Sequence, residues 1–400
     1  MTTLETTLPA RHASLAADGW RYAIIALIAF LTLVDLFATQ AILPSLAVKY
    51  AVSPSTMGLA VNASTFGMAV AGLAIALFGR GLDRRAGIWV SLAVLSVPTT
   101  LLAFVDDIVL FAALRVWQGV CMASAFTLTM AYLAEHFSAG RATAALSAYV
   151  TGNVASNVFG RMLSAAVADG LGIEVNFLTF AALNLAGAAL VLATLSRTSR
   201  MMACSPTGER RRARDLLSLF GNSQLAPAFA VGFLILFVFI GTYTYVNFRL
   251  TGPAIGLSPM ALGLVYLVFL PSLVTTPLAG AVAARLGAAG GITATLGLAV
   301  VGVLLCLPEN LAVVLVGLAL IAVGTFLAQA IATGHVGRTA GAERAAASGV
   351  YLSSYYAGGL AGSFVLGQVH DRLGWTACVW VLAATLVLGA AVALRLRRPA

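Results

Sequence analysis

The chain is a succession of apolar runs, each about the length that crosses a lipid bilayer. A helix rises about 1.5 Å per residue, so about 20 apolar residues span the hydrocarbon. Such runs cover about residues 21–43, 56–78, 87–105, 108–132, 144–168 and 175–196, then 225–248, 259–281, 288–306, 311–333, 345–368 and 375–394. The connections between them are short, which leaves no room for a water-soluble domain. Only 9% of the residues are charged and 60% are hydrophobic, with a mean hydropathy of +0.98. A soluble domain carries about 25% charged residues. The expected fold is therefore an all-α integral membrane protein of twelve transmembrane helices.

The ends and the middle of the chain differ from the runs. Residues 1–20 are polar and mixed and lack the short apolar core and small-residue cleavage site of a signal peptide, so a cytoplasmic tail is expected there. Residues 197–224 form a polar break that contains Glu209-Arg210-Arg211-Arg212, expected as a cytoplasmic linker on the membrane surface. Its arginines suit anionic lipid rather than nucleic acid, because no folded basic domain carries them. These breaks divide the chain into a six-helix bundle over 21–196, a second over 225–394 and a short tail over 395–400.

Basic residues set the orientation. With the N-terminus in the cytoplasm, eighteen of the 23 lysines and arginines fall inside, and only Lys49, Arg249 and Arg372 fall in outside loops. That bias predicts a multi-pass membrane protein with both termini and the central linker cytoplasmic. Landmarks also recur at one offset: Gly79 and Gly280, Gly160 and Gly362, and Asp169-Gly-Leu-Gly172 and Asp371-Arg-Leu-Gly374 lie 201 or 202 positions apart. The two bundles are then repeats in the same orientation, an arrangement used by transporters with a site between the halves near the midplane.

Several motifs carry a more specific resemblance. Gly79 to Gly87 includes Asp83 and Arg84, and Ala279 to Gly287 is its weaker copy with Ala284 in the aspartate position. Arg115-Val-Trp-Gln118-Gly119 lies in the fourth run, and Ala131 to Phe137, with Glu135, is followed by Arg141. Together these resemble the Major Facilitator Superfamily over nearly all of residues 21–394, and the Gly152-Asn153…Gly160-Arg161 pattern is similar to bacterial drug and arabinose efflux permeases. The resemblance implies proton-coupled efflux of a small organic molecule by alternating access across a bacterial inner membrane, a multidrug antiporter working as a monomer. It also implies a cytoplasmic gate of Gly79, Asp83, Arg84, Glu135 and Arg141, with Asp83 latching onto the start of the eleventh span. A proton-coupled importer of an organic anion or sugar is the alternative within transport. A membrane sensor or enzyme is the alternative outside it.

Few residues can carry the chemistry. An ionisable group at the bilayer centre costs about 2.5–3.5 kcal/mol on insertion scales. Only Asp35, Arg115 and Arg161 lie well inside runs, and their counterparts in the second half, Leu236, Val316 and Ser363, are uncharged. The fold alone does not demand these charges. Asp35 shares a helical face with Thr32 and Thr39 and is a candidate proton site, a structural partner of Arg115 or Arg161, or a substrate ligand. Arg115 either serves proton coupling or ties helices through Gln118.

Asn153, Asn157 and Arg161 recur every four residues as one polar stripe expected to edge the substrate cavity, where Arg161 contacts substrate, balances Asp35 or locks the fifth-span interface; beside it runs a stripe of small residues suited to close helix packing. In the second half Tyr243, Asn247, Gln329 and Tyr355 are candidate cavity residues, and Pro271 and Pro277 should bend the eighth run. Lys49 is the sole lysine, so no P-loop lysine exists, and no HExxH or Gly-x-Ser-x-Gly pattern is present. Cys121, Cys204, Cys306 and Cys378 are scattered. No cofactor, metal or enzymatic activity is expected. The partners expected are protons, a small-molecule substrate and lipid.

Overall fold

A computed structural model describes residues 8–78, 82–137, 139–195 and 218–396; within the helices, the side chains of 8–18, 76, 134, 139–144, 146–147, 342 and 344–345 are outside the description. The linker expected over 197–224 therefore falls mostly outside it, as do Gly79 and the side chain of Arg141. The described chain is helical throughout: α1 (Leu8–Ala41), α2 (Leu43–Lys49), α3 (Pro54–Phe78), α4 (Arg84–Leu101), α5 (Ile108–His136), α6 (Ala139–Ala155), α7 (Arg161–Leu171), α8 (Ile173–Thr194), α9 (Leu225–Thr251), α10 (Pro259–Val265), α11 (Leu270–Thr275), α12 (Ala279–Leu304), α13 (Leu311–Thr339) and α14 (Arg344–Ala393). Eight stretches are long and apolar enough to cross a membrane, among them Pro259–Leu304 and Ala346–Ala393 at 46 and 48 residues.

Glycine in the left-handed region divides the two longest stretches. Gly287 (φ 73°) breaks the first and Gly374 (φ 77°) breaks the second. Gly172 (φ 97°) makes the corresponding break between α7 and α8, 202 positions before Gly374. An L side chain rarely adopts these angles, so the turn needs glycine at both places. The repeat read from the sequence thus reappears as backbone geometry.

Two other interruptions have different causes. The eighth run is α10, a 3-10 turn (Tyr266–Phe269), α11 and a second 3-10 turn (Thr276–Leu278). Pro271 and Pro277 each stand at the start of one of these short pieces, where a missing N–H costs least. Between α6 and α7 lies a π turn, Ser156–Gly160, immediately before Arg161. The sequence offers no proline there, and the π turn was not expected; such bulges are common at functional positions.

The small-residue stripes pack as anticipated. A Cβ at Gly152 would lie 1.9 Å from the Ala26 carbonyl oxygen, which brings α6 against α1 backbone to backbone. The equivalent junction in the second half joins α14 to α9, where a Cβ at Gly358 would lie 2.0 Å from the Phe233 carbonyl oxygen. Between the halves, α3 packs on α14 and α7 on α10. Large apolar side chains point outward, including Phe66, Phe159, Phe364 and Trp380, and Trp117 is likewise exposed, as lipid requires.

Gly358→Ala should lower the melting temperature of the detergent-solubilised protein by an amount corresponding to about 1–3 kcal/mol, because the added methyl meets fixed backbone. Gly297→Ala, whose Cβ would meet no atom within 4 Å, should leave it unchanged or slightly raised.

Candidate functional site

The three intramembrane charges occupy two separate clusters. The first surrounds Asp35, 4% exposed, and Arg115, 1% exposed. They do not form a direct side-chain ion pair. Thr99 Oγ1 donates to Asp35 Oδ2 at 3.0 Å, and Asn184 Nδ2 donates to the same oxygen at 2.6 Å. Gln118 Nε2 donates to Thr99 Oγ1 at 2.7 Å, while Arg115 Nη1 donates to Gln118 Oε1 at 2.6 Å. Carboxylate and guanidinium are therefore joined through two neutral side chains.

Arg115 is otherwise a helix tie. Its Nε donates to the Val61 carbonyl at 2.9 Å and its Nη2 to Ser64 Oγ at 3.1 Å, both on α3. Its Nη1 and Nη2 reach the Asp35 and Leu36 carbonyls of α1 at 3.3 and 3.4 Å. Thr32 and Thr39, expected beside the Asp35 carboxyl, instead bond back to the carbonyls of Ile28 and Asp35 on their own helix.

Thr99 occupies the pivotal place because one hydroxyl proton faces two acceptors. Its Oγ1 lies 3.0 Å from Asp35 Oδ2 and 2.8 Å from the Leu95 carbonyl. A hydroxyl donates once and accepts twice. With Asp35 ionised, the proton points at the carboxylate. With Asp35 protonated, it can turn to Leu95 and accept from the carboxyl. The two acceptor sites of Thr99 Oγ1 face Gln118 Nε2 at 2.7 Å and Asn184 Nδ2 at 3.3 Å, so a proton on Asp35 would displace the weaker of these donors.

The second cluster is built on Arg161, which is fully buried. Its Nη2 donates to Gln40 Oε1, and its Nη1 to Asn157 Oδ1 at 3.3 Å. Its Nε has no hydrogen-bond partner. No carboxylate lies within ion-pair distance among the described residues; the described pairs are Lys49–Glu174, Arg84–Glu135 and His370–Asp371. Four rings surround the guanidinium instead: Tyr266 at 4.4 Å, Phe37 at 4.8 Å, Phe269 at 4.9 Å and Tyr243 at 5.8 Å, each from its centroid. Three of these rings belong to the second half of the chain.

An amide network extends from this box across the same interface. Gln40 Nε2 donates to Asn62 Oδ1 at 2.9 Å, and Asn62 Nδ2 lies 3.0 Å from Thr244 Oγ1 and 3.2 Å from Ser363 Oγ. Asn247 Nδ2 donates to the Gln40 carbonyl at 2.7 Å, and its Oδ1 accepts from Tyr266 Oη at 2.8 Å. All these groups lie toward the end of the bundle that carries α2. A single described hydrogen bond between the halves, Ser353 Oγ to the Ala69 carbonyl at 2.9 Å, lies elsewhere.

Other expected residues fall differently. Asn153 keeps its Oδ1 unpartnered, while its backbone carbonyl accepts from Asn157 Nδ2 at 3.3 Å. Tyr243 also donates to the Leu318 carbonyl at 2.6 Å. Tyr355 packs against Tyr351 and Tyr356, with ring centroids 6.3 and 5.6 Å away, apart from the Arg161 box. Gln329 is half-buried on α13 and makes no hydrogen bond among the described residues. Asp83, expected on the eleventh span, instead caps its own helix: it precedes α4 with extended backbone, and its Oδ1 accepts from Ala86 N at 3.0 Å. Arg84 pairs with Glu135 at 3.2 Å, a bond within the first half. Gln40, Asn62, Asn184, Thr99, Tyr266 and Phe269 were not anticipated. A search for amides inside apolar runs would have found the first three.

The comparisons with known proteins agree with the fold. The model of the Major Facilitator Superfamily matches residues 25–269 and 247–400. An MFS-type transporter, YybF of Bacillus subtilis strain 168, is 25% identical over 352 residues, covering 88% of this chain and 86% of that protein. The inner membrane transport protein YnfM of Escherichia coli K12 is 24% identical over 370 residues, covering 91% and 87%. Among solved structures, a bacterial homolog of the human lysosomal transporter Spinster, in an inward-facing and unoccupied conformation, superposes with a TM-score of 0.73 at 13% identity over 97% of both chains. The nucleoside transporter NupG gives 0.72 at 14% identity, over 95% of this chain and all of that one. With the family model matched over nearly its whole length and its two clusters set in and between paired helical halves, the chain belongs to the Major Facilitator Superfamily and is a membrane transporter.

Proposed function

We propose that the protein is a twelve-span secondary transporter that exports a small organic molecule in exchange for protons, with Asp35 as the proton site. The observation that carries this reading is the Thr99 hydroxyl, placed between Asp35 Oδ2 and the Leu95 carbonyl so that its proton can follow the protonation state of Asp35. Gln118 and Arg115 then link the protonation state of Asp35 to the backbone of α1 and α3.

With the arginine-rich face inside the cell, the α2 end faces outward, and the amide network and aromatic box close that side. Alternating access requires those contacts to break as the halves rock. The acidic residue of the inner gate, Asp83, is engaged with its own helix, which suits a state in which the inner face is unlatched. The first half carries the proton chemistry, the second half presents neutral and aromatic surface, and the solute occupies the space between them. The name of the Escherichia coli relative, an inner membrane transport protein, supports the same location here.

Two measurements test this reading. Infrared difference spectra between acid and alkaline buffers should contain a protonated-carboxyl band that disappears in Asp35→Asn. In proteoliposomes, Asp35→Asn should retain solute exchange at equal pH and lose accumulation driven by a pH gradient. A band that persists in the variant, or gradient-driven accumulation that survives it, rules Asp35 out as the coupling site. Separately, Asn62→Leu removes the hydrogen bonds that cross to Thr244 and Ser363. Net hydrogen bonds contribute about 0.5–1.5 kcal/mol each. The variant should therefore make a cysteine at position 244, in a background lacking the native cysteines, react about tenfold faster with a polar thiol reagent added from the α2 side, since about 1.4 kcal/mol is a tenfold change in population.

A further inference from the structure

Arg161 poses a problem that the coupling reading leaves unsolved. Its guanidinium is fully buried, has no carboxylate within ion-pair distance among the described residues, and keeps Nε without a hydrogen-bond partner. A buried cation is expensive unless something compensates it. In this structure the compensation is the negative faces of Phe37, Tyr243, Tyr266 and Phe269 together with two amide oxygens. Cation–π contacts strengthen when water is excluded.

That compensation cannot last through a transport cycle. Phe37, Gln40 and Asn157 travel with the arginine in the first half. Tyr243, Tyr266 and Phe269 belong to the second half and leave when the α2 end opens. The guanidinium then faces the space between the halves with two amide oxygens, one ring and an unused N–H. The group that best replaces what has left is an anion, and the surface it enters between is lined by flat apolar rings. Tyr266 and Asn247, bonded to each other at 2.8 Å, supply further polar atoms beside the rings.

We propose that Arg161 is the seat of the anionic group of the transported solute, and that the solute is a small organic acid carrying a planar, largely apolar ring. The carboxylate, or an anion of similar size, pairs with the guanidinium, and the ring packs among Phe37, Tyr243 and Phe269. When the site is empty, the aromatic box stands in for the anion and closes the α2 end, so the unloaded arginine does not face an open, uncompensated cavity. This rests on the reading of the chain as a carrier of small organic molecules. It does not require Asp35 to be the proton site.

The test uses the purified full chain in detergent and follows thermal unfolding at fixed ionic strength with benzoate, phenylacetate and 4-hydroxybenzoate. Each is compared with its neutral amide and with benzylammonium. The acids should raise the melting temperature saturably; the amides should do so weakly and the amine not at all. Arg161→Lys keeps a point charge and loses the fork, and should weaken the half-saturating concentration of the acids about tenfold. Arg161→Gln should abolish the effect. Phe269→Leu should weaken the aromatic acids and leave their order over the amides intact.

Asp35→Asn should still be stabilised by the acids, which separates this site from the coupling reading. Acids that bind through Arg161 to a protein that moves no protons would sink the coupling and leave the anion site standing. Equal shifts for acids and amides, no shift with any acid, or a shift that survives Arg161→Gln would overturn the anion site.

Discussion

A single cation without a carboxylate holds much of this structure's interface. Arg161 is contributed by the first half and sheltered by the rings of the second. In hydrocarbon, neither half could present its part of that contact alone at low cost. The arginine would be an unpaired charge, and the rings would be a mere apolar surface. Joined, they exclude water from the guanidinium, and the amides of Gln40, Asn62 and Asn247 extend the same seam with hydrogen bonds between neutral groups. Such bonds are individually modest. A seam of weak, separable contacts around one costly group is what a rocking interface needs: strong enough in sum to close, and breakable in steps.

The other cluster solves the opposite problem. Asp35 and Arg115 carry opposite charges at one level of the bundle, yet Thr99 and Gln118 stand between carboxylate and guanidinium. A direct pair would strongly favour the ionised carboxylate. Interposing a hydroxyl and an amide keeps both groups hydrogen-bonded without a direct pair. Arg115 ties α1 and α3 with its remaining donors, and on the proposed reading Asp35 exchanges its proton. Close approach of the backbones makes the tie possible: a Cβ at Gly119 would lie 1.9 Å from the Ser64 carbonyl oxygen, so α5 lies directly against α3 beside the arginine.

Much of this was legible in the sequence because it is local. Apolar length marked the all-helical membrane fold, with eight stretches long and apolar enough to cross a membrane, and the repeated glycine after Asp169 and Asp371 became Gly172 and Gly374, each with positive φ. The scarcity of charge singled out Asp35, Arg115 and Arg161, and all three prove to be buried. The i, i+4 spacing of Asn157 and Arg161 became a hydrogen bond at 3.3 Å. What could not be read was everything set by which helices face one another. Phe37, Tyr266 and Phe269 look like ordinary apolar filling until three separate spans bring them, with Tyr243, around one guanidinium. Asp83 is ambiguous for a related reason: an aspartate ahead of a helix can cap that helix or reach another, and here its Oδ1 accepts from Ala86 N.

The asymmetry between the halves bears on energetics as well as geometry. Leu236, Val316 and Ser363 stand where the first half has Asp35, Arg115 and Arg161, so the second half can move without carrying charge through the membrane. On the proposed reading, one turnover takes a proton inward and an organic anion outward. Both movements transfer charge in the same sense, and each unit charge is worth about 2.3 kcal/mol per 100 mV of membrane potential. A transporter working this way needs only one titrating carboxyl, because the potential acts on the solute as well as on the proton. An importer of the same anion with a proton would be electrically neutral and would draw on the pH gradient alone. The unmatched positive charge of the pair Arg115 and Arg161 against Asp35 is thus more useful to an exporter. On this reading the arginine that makes the interface costly to open also seats the anion on which the membrane potential acts.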